Sequence, residues 1–416
     1  MKMISRTAVI IGCALALALA PQAYGAAKPQ AKVLSAAQAA KPAQLRLLEQ
    51  VVNIDSGTGD VEGGRKVAEV LMSHLRTVGM TVESVPAEAP DLPDNIVATV
   101  TGRGKTRILL IGHLDTVFGP GTAQRRPFRT DDRRAYGAGV TDEKGGVVEG
   151  VYALRILRDL KFDRFGKIVF LIETSEEKGS PGTRALIARL LADTDVELNL
   201  EPGDDPDAVT VWRKGVATFH IDVKGRAAHA GVAPQEGRNA ALELIHQISG
   251  VAVFPTSGQG LTANLTLMSA GSRANIIPEA ASAQVNVRVR DKSDLDRVEQ
   301  TLRRNAEVTV IPDTKVTVTR EQAYPPLPEN PATARLAKLA QSIYSEIGRP
   351  LATGGNGGGS ESALAADVGV AALDGLGPAG GGYHSDQEYL NLDTVTPRLY
   401  LLTRLLMQLG NGFPQP

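Results

Sequence analysis

Strand-length apolar segments at Arg107–Gly112, Lys167–Ile172 and Val196–Leu200, each running into a polar stretch that holds His113, Glu177 or Glu201, constrain this chain most. Asn95–Val100 is also strand-like, and the stretches between have helical period: Pro42–Val52, Glu62–Val78, Gly145–Leu160 and Pro181–Ala192. Strands that alternate with helices stack into an α/β layered domain, because each strand buries both faces only when helices cover the sheet. In such sheets ligands collect beyond the carboxyl ends of the strands, where His113, Glu177 and Glu201 fall.

After Arg213-Lys214-Gly215 the rhythm changes to strand (Val216–Lys224), helix (Asn239–Ser249), two strands (Thr262–Ser269 and Ala281–Arg290), helix (Ser293–Glu307) and strand (Lys315–Thr319). That β-α-β-β-α-β order predicts a ferredoxin-like α+β module inserted into the α/β domain. Tyr324-Pro325-Pro326-Leu327-Pro328 reads as its exit linker, and Pro331–Ile347 and Thr394–Leu409 return to α/β style. The predicted organisation is a leader over residues 1–26, a catalytic domain over 27–213 and 324–416, and an insert over 214–323. A chain of 416 residues with 43% hydrophobic content can fill two cores.

A net charge of −1 and a pI near 6.6 leave no basic field for nucleic acid or an acidic membrane, which favours a small-molecule partner. Lys2 and Arg6 precede an apolar run over Thr7–Ala20 and the small residues Ala23-Tyr24-Gly25-Ala26, the pattern of a cleaved export signal. A membrane anchor is the alternative, but the run falls short of the about 20 residues a span requires. A periplasmic or secreted enzyme, free of the membrane after cleavage, is expected. The only cysteine, Cys13, lies in the leader, so the mature chain would have no thiol ligand.

Five residues carry the chemistry: His113, Asp142, Glu177, Glu201 and His384. Two imidazoles and three carboxylates suit a pair of zinc-type cations that share one carboxylate. Asp115, two residues beyond His113, can accept the ring's second N–H. Glu176 beside Glu177 lets one carboxylate bind metal while its neighbour moves a water proton. Taken alone, each has a plainer reading: Asp142 as a helix cap after a glycine-rich loop, Glu176-Glu177 as a solvated turn. Of the six histidines, His74, His220 and His246 read as structural or surface residues, whereas His229 lies in a small-residue loop, Gly225 to Gly231, that a ligand can approach closely. The Gly354–Gly359 run, lacking Gly-Lys-Ser/Thr after it, reads as a substrate-side loop rather than a phosphate cradle.

Gly112-His113-Leu114-Asp115-Thr116-Val117, Tyr136-Gly137-x-Gly139-x-x-Asp142-x-Lys144-Gly145-Gly146, Glu176-Glu177-Lys178-Gly179-Ser180, Glu201-Pro202, Gly225-Arg226-Ala227-x-His229-Ala230-Gly231, Asn275-Ile276-Ile277-Pro278 and Gly382-Tyr383-His384-Ser385-Asp386 span nearly the whole mature chain. In that order they resemble the co-catalytic zinc metallopeptidase family of glutamate carboxypeptidase, succinyl-diaminopimelate desuccinylase, peptidase T and aminoacylase. The export signal and the Glu-Glu-Lys-Gly-Ser run lean toward the periplasmic glutamate carboxypeptidases.

The resemblance implies a homodimer with two Zn²⁺ per subunit, Co²⁺ able to substitute, and an N-acyl amino acid or peptide as substrate. Asp142 would bridge the metals, His113 and Glu201 completing one site and Glu177 and His384 the other. Glu176 would be the general base, Asp115 the orienting residue, and His229 an oxyanion donor in the partner's active site. Asn275 and Arg288 would bind the substrate carboxylate, with Gly359 and Ser360 nearby. The activity implied is hydrolysis of the amide bond to a C-terminal amino acid, glutamate first, with an N-acyl-amino-acid deacylase or dipeptidase as the alternative. Gly358-Gly359-Ser360-Glu361 departs from the family's Gly-Gly-Thr-Asp by one methylene in the carboxylate and bears on that preference.

Overall fold

In the computed structural model, which describes residues 28–249 and 260–412, the strands Arg107–His113, Lys167–Glu173, Val196–Asn199 and Ala371–Leu373 run parallel in the middle and at one edge of a six-stranded sheet. Asn95–Thr101 and Thr81–Val85 add antiparallel strands at the other edge. Period-two alternation explains the layering. Ile108, Leu110, Ile168 and Phe170 face a core with the helices Ala31–Val52, Lys144–Asp159 and Leu392–Gly410, while Leu109, Ile111, Val169 and Leu171 face the helix Arg184–Leu191. With both faces covered, the carboxyl ends are the strands' open edge. The expected export signal lies outside the described residues.

The insert begins as the chain leaves Arg213. Its four strands, Thr262–Ala270, Ala280–Val289, Gly215–Lys224 and Lys315–Tyr324 in spatial order, pair antiparallel, and the helices Ala240–Ser249 and Lys292–Ala306 cover one face, giving the ferredoxin-like arrangement. Ala217, Phe219, Ile221, Val285 and Val287 fill the core beneath those helices. The residues between them, Val216, Thr218, Gln284, Asn286 and Arg288, point the other way and roof a cavity above the carboxyl edge of the catalytic sheet.

Three local readings change. The first helix starts at Ala31 and runs through Pro42, because the Ala-rich segment before the proline is strongly helix-forming. The last strand of the insert reaches Tyr324, five residues past Thr319, held by antiparallel pairing to Val216–Lys224 with a bulge at Ala323. Ala352–Asn356 is a strand beside Ala208–Arg213, so only the end of the Gly354–Gly359 run is a loop. It belongs to a second, seven-stranded sheet built from pieces two to six residues long, too short for hydrophobic periodicity to reveal.

Glu149, in the middle of Lys144–Asp159, is fully buried and neither carboxylate oxygen has a hydrogen-bond partner among the described residues. Burial pushes its pKa well above 4.5, against the pull of Arg398. As pH rises past that ordinary value the unfolded chain loses the proton while the folded chain keeps it, so stability falls. Glu149→Gln escapes this loss. Its Tm relative to the native chain should climb between pH 5 and pH 8, reflecting up to ~1.4 kcal/mol per pH unit. A difference independent of pH would show that the buried carboxylate is not held protonated.

Candidate metal centre and active site

His113 ends its strand in register with Glu173, and its imidazole is completely buried. Its Nε2 lies 3.3 Å from Asp142 Oδ1, 3.5 Å from Glu201 Oε1 and 3.9 Å from Glu176 Oε2, yet has no hydrogen-bond partner among the described residues. His384 reaches the other oxygen of Asp142, with Nε2 3.2 Å from Oδ2 and 3.2 Å from Glu177 Oε2. Thus His113, Asp142 and Glu201 form one group of donors within 4.8 Å of one another, and Asp142, Glu177 and His384 form a second that shares Asp142. Glu176, at the cavity wall, belongs to neither of these and forms a third, all-carboxylate group with Glu201 and Glu361.

An orphaned buried imidazole nitrogen aimed into oxygen donors is the environment a borderline divalent cation satisfies, and the donor set fits one in each group. The electrostatics agree. Burial drives Glu176 well above the ordinary carboxylate value and Glu201 up to about 7, with neighbouring carboxylates adding to the push and His113 and, for Glu201, Arg213 opposing it. Burial opposes the ionised form of Asp142 as well, but the His113 and His384 imidazoles beside it hold it below its usual range. Hydrogen bonds to Asp142 and Glu177 raise His384 to about 10.

Asp115 acts differently from the expected carboxylate-to-ring bond. The His113 Nδ1 contact at 3.0 Å is to the Asp115 main-chain oxygen, while Oδ1 is 3.4 Å away. The Asp115 carboxylate instead accepts from the N–H groups of Glu176 and Glu177 at 3.2 and 3.3 Å and from Thr58 Oγ1 at 2.6 Å. It therefore pins the turn that carries the general-base candidate.

Several supporting residues escaped sequence reasoning. Arg213 holds Glu201 Oε2 at 3.1 Å and clasps Asp374 with two bonds of 2.7 and 2.6 Å. Glu143 accepts the His113 N–H at 3.1 Å. Glu388 accepts the N–H groups of Gly139, Thr141 and Asp142 at 2.9, 3.0 and 3.1 Å, which fixes the Asp142 loop. Lys144, fully buried and lowered by burial to about 8, donates to the carbonyls of Val51 and Ile54. The only sequence signal for Glu388 was its place four residues after His384.

The cavity over the donors has a volume of about 510 Å³ and is bordered by Glu176, Arg288, Tyr324, Gly359, Tyr383 and His384 among others. A side chain at Gly359 would collide with Tyr324 at 2.5 Å, so glycine is required where the insert meets this loop. Ser360 lies behind the wall, its hydroxyl bonded to Asp374. Arg288 faces the cavity and donates to Asn286 Oδ1 and to the Gly357 carbonyl. His229 and Asn275 do not border it. They sit together on an exposed ribbon of the insert, where Ala228–His229 pairs with Ile276–Ile277.

Residues 109–408 match the model of peptidase family M20/M25/M40. The chain belongs to this family. It is a metal-dependent peptidase and hence a hydrolase. It is 34% identical over 412 residues to carboxypeptidase G2 of a Pseudomonas species, covering 98% of this chain and 99% of that one. A succinyl-diaminopimelate desuccinylase of Methylorubrum extorquens is 26% identical over 78% of this chain and 88% of its own. Among solved structures, a tripeptidase from Staphylococcus aureus superposes with a TM-score of 0.74 at 22% identity, covering 89% of this chain and 99% of that one, and an M20 metallo-carboxypeptidase from Sulfolobus solfataricus with 0.72 at 16%, covering 88% and 99%. Both show the shared fold.

Replacing Glu388 with alanine should free the Asp142 loop. Metal affinity, measured by competition with a chromophoric chelator, is expected to fall about 10–100-fold with circular dichroism unchanged. Undiminished affinity would mean that the loop holds its shape without Glu388.

Proposed function

We propose that the chain is a di-zinc carboxypeptidase that hydrolyses the amide bond to a C-terminal amino acid, glutamate first, from N-acyl, peptidyl or folate-type substrates. One observation carries this reading: two histidine–carboxylate donor groups share Asp142, with Glu176 beside them and Arg288 facing them across the same cavity. The near full-length likeness to carboxypeptidase G2 supports the choice of substrate. The two cations, when bound, supply Lewis-acid polarisation of the scissile carbonyl. Glu176 takes the proton of the attacking water and returns it to the leaving nitrogen, while the Arg288 guanidinium receives the substrate's terminal carboxylate. A deacylase or dipeptidase of the same family is the second reading, favoured by Asp204 and Glu321, acidic residues that border the cavity. Release of free amino acid from a panel of N-acylglutamates, other N-acyl amino acids, folates and dipeptides separates the two.

The reading extends to the assembly. The outer edge of the insert's sheet is Thr262–Ala270, where Leu265, Leu267 and Met268 are 43%, 59% and 47% exposed. Leu242 and Ile245 on the neighbouring helix are exposed as well. An unpaired apolar edge of this kind suits a second copy of the chain, giving a homodimer. His229 then has a role: its Nδ1 accepts from the N–H groups of Gly231 and Val232 at 3.2 and 3.1 Å, leaving Nε2 as the donor. That donor would stabilise the oxyanion in the partner's cavity, with Asn275 beside it on the substrate carboxylate. Export with loss of residues 1–26, and domain boundaries at 213/214 and 323/324, complete the proposal. Among the described residues no helix is long and apolar enough to cross a membrane.

Chelation should abolish activity and Zn²⁺ or Co²⁺ restore it, and Glu176→Gln should lower kcat by about 10²-fold or more with both metals retained by elemental analysis. Metal loss in that variant would instead make Glu176 a ligand.

His229→Ala should lose about 10²–10³-fold in kcat with normal metal content. Mixed with Glu176→Gln under subunit exchange, it should regain activity, since one site in the heterodimer joins an intact Glu176 to an intact His229. Verified heterodimers without activity would place His229 outside the partner's chemistry.

A further inference from the structure

Arg213 is buried at the point where the chain leaves the catalytic domain, and its guanidinium draws several remote segments together. Nε and one terminal nitrogen clasp the two oxygens of Asp374 at 2.7 and 2.6 Å, and that terminal nitrogen also donates to Glu201 Oε2 at 3.1 Å. The other terminal nitrogen lies 3.5 Å from Asn356 Oδ1 and 3.5 Å from the Gly359 carbonyl. Glu201 is thereby divided. Its Oε2 is taken by the guanidinium, while Oε1 faces His113 Nε2 at 3.5 Å, the nitrogen that has no hydrogen-bond partner among the described residues.

The crossing behind the guanidinium is tied on both sides. Arg213 ends the strand Ala208–Arg213 in register with Asn356, and its main-chain N–H and carbonyl pair with the carbonyl and N–H of Leu327 at 3.0 and 3.1 Å. The outgoing chain is therefore bonded to the returning one. Lys214 N–H donates to the Asn356 carbonyl at 3.2 Å, and a side chain at Gly215 would meet the Pro326 nitrogen at 2.7 Å.

We infer that Arg213 is a positioning residue for the metal centre: by holding Oε2 of Glu201 from the root of the insert, it leaves Oε1 alone to meet a cation beside His113. The inference rests on the two-metal reading and adds what sets one of its ligands. An unheld carboxylate could chelate through both oxygens or turn toward Glu176 and Glu361, the other members of its carboxylate group. The fork removes both choices, and its charge offsets a carboxylate that burial opposes. A lysine would keep that charge, but a single ammonium cannot clasp Asp374 at two atoms and reach Glu201 as well. Because the strand that carries the fork runs on into Gly215–Lys224, one crossing sets both the ligand and the roof of the cavity.

The experiment loads Co²⁺ into native protein, Arg213→Lys, and a double variant that joins Arg213→Met to Asp374→Asn. The second change leaves no unpaired charge at position 374, and circular dichroism checks folding. Competition with a chromophoric chelator reads the two cation positions separately. In the double variant one position should weaken about 10–100-fold while the other holds. Visible Co²⁺ absorption should fall as the released Glu201 oxygen joins the cation and raises its coordination number. Arg213→Lys should lie between on the same readouts, and it carries the test by itself if the double variant misfolds. Native affinity and spectrum in the folded variants, or equal weakening of both positions, would overturn the positioning role alone. Native protein that binds fewer than two cations per chain would overturn the two-metal reading and this inference with it.

Discussion

Carboxylates crowd the carboxyl edge of the central sheet, and the rest of the structure is arranged around that charge. Asp115, Glu143, Glu173, Glu176, Glu201 and Glu361 are all buried there, and Asp142 and Glu177 are nearly so. Desolvating an ionised carboxylate is costly unless charge or hydrogen bonds offset it. Arg213 offsets Glu201 and Asp374, and backbone N–H groups offset Asp115 and Glu388. What remains is oxygen and nitrogen aimed at two points that share Asp142, which divalent cations satisfy. Bound metal would thus be part of the fold's charge balance as well as of its chemistry, because the donors that could hold it come from five segments between His113 and His384.

The inserted module follows from a two-faced sheet. One face is packed beneath its helices, and the other, carrying Thr218, Asn286 and Arg288, closes over the cavity that holds Asp142, Glu177, Glu201 and His384. Its last strand returns to the catalytic domain at Tyr324, whose hydroxyl lies 2.5 Å from Ser180 Oγ, which in turn donates to Glu173 Oε1 at 2.8 Å. The roof is therefore tied to the strand that leads into the Glu176 turn. The opposite edge, Thr262–Ala270, has no further strand beside it among the described residues and exposes Leu265, Leu267 and Met268. That asymmetry lets the module roof its own site with one face while it exposes an apolar edge.

Local signals made much of this legible. Arg107–Gly112 and Lys167–Ile172 read as strands because runs of branched and aromatic residues have few other stable settings, and the switch after Gly215 exposed the insert. His113, Glu177 and Glu201 were visible for the same reason, since each follows such a segment, whereas Asp142 and His384 stand after glycine-rich stretches and drew notice through the other three. The seven-stranded sheet was not visible: Pro202–Asp204, Gly377–Gly381 and Tyr389–Asn391 are short, and three of the five residues of Gly377–Gly381 are glycine, so pairing rather than propensity makes them strands. Gly354–Asn356 was read as loop on the same grounds.

By itself the sequence determined the fold class, the insertion and the residues able to bind metal, because these depend on periodicity and donor chemistry carried by contiguous stretches. Only the tertiary structure decided how those residues are held. That Asp115 grips the Glu176 turn with its carboxylate and His113 with its main chain, that Ser360 lies behind the cavity wall, and that Glu388 clamps the Asp142 loop from 246 or more residues away all depend on distances between remote segments. A carboxylate's role is set by what faces it, and chain-local pattern carries no record of that.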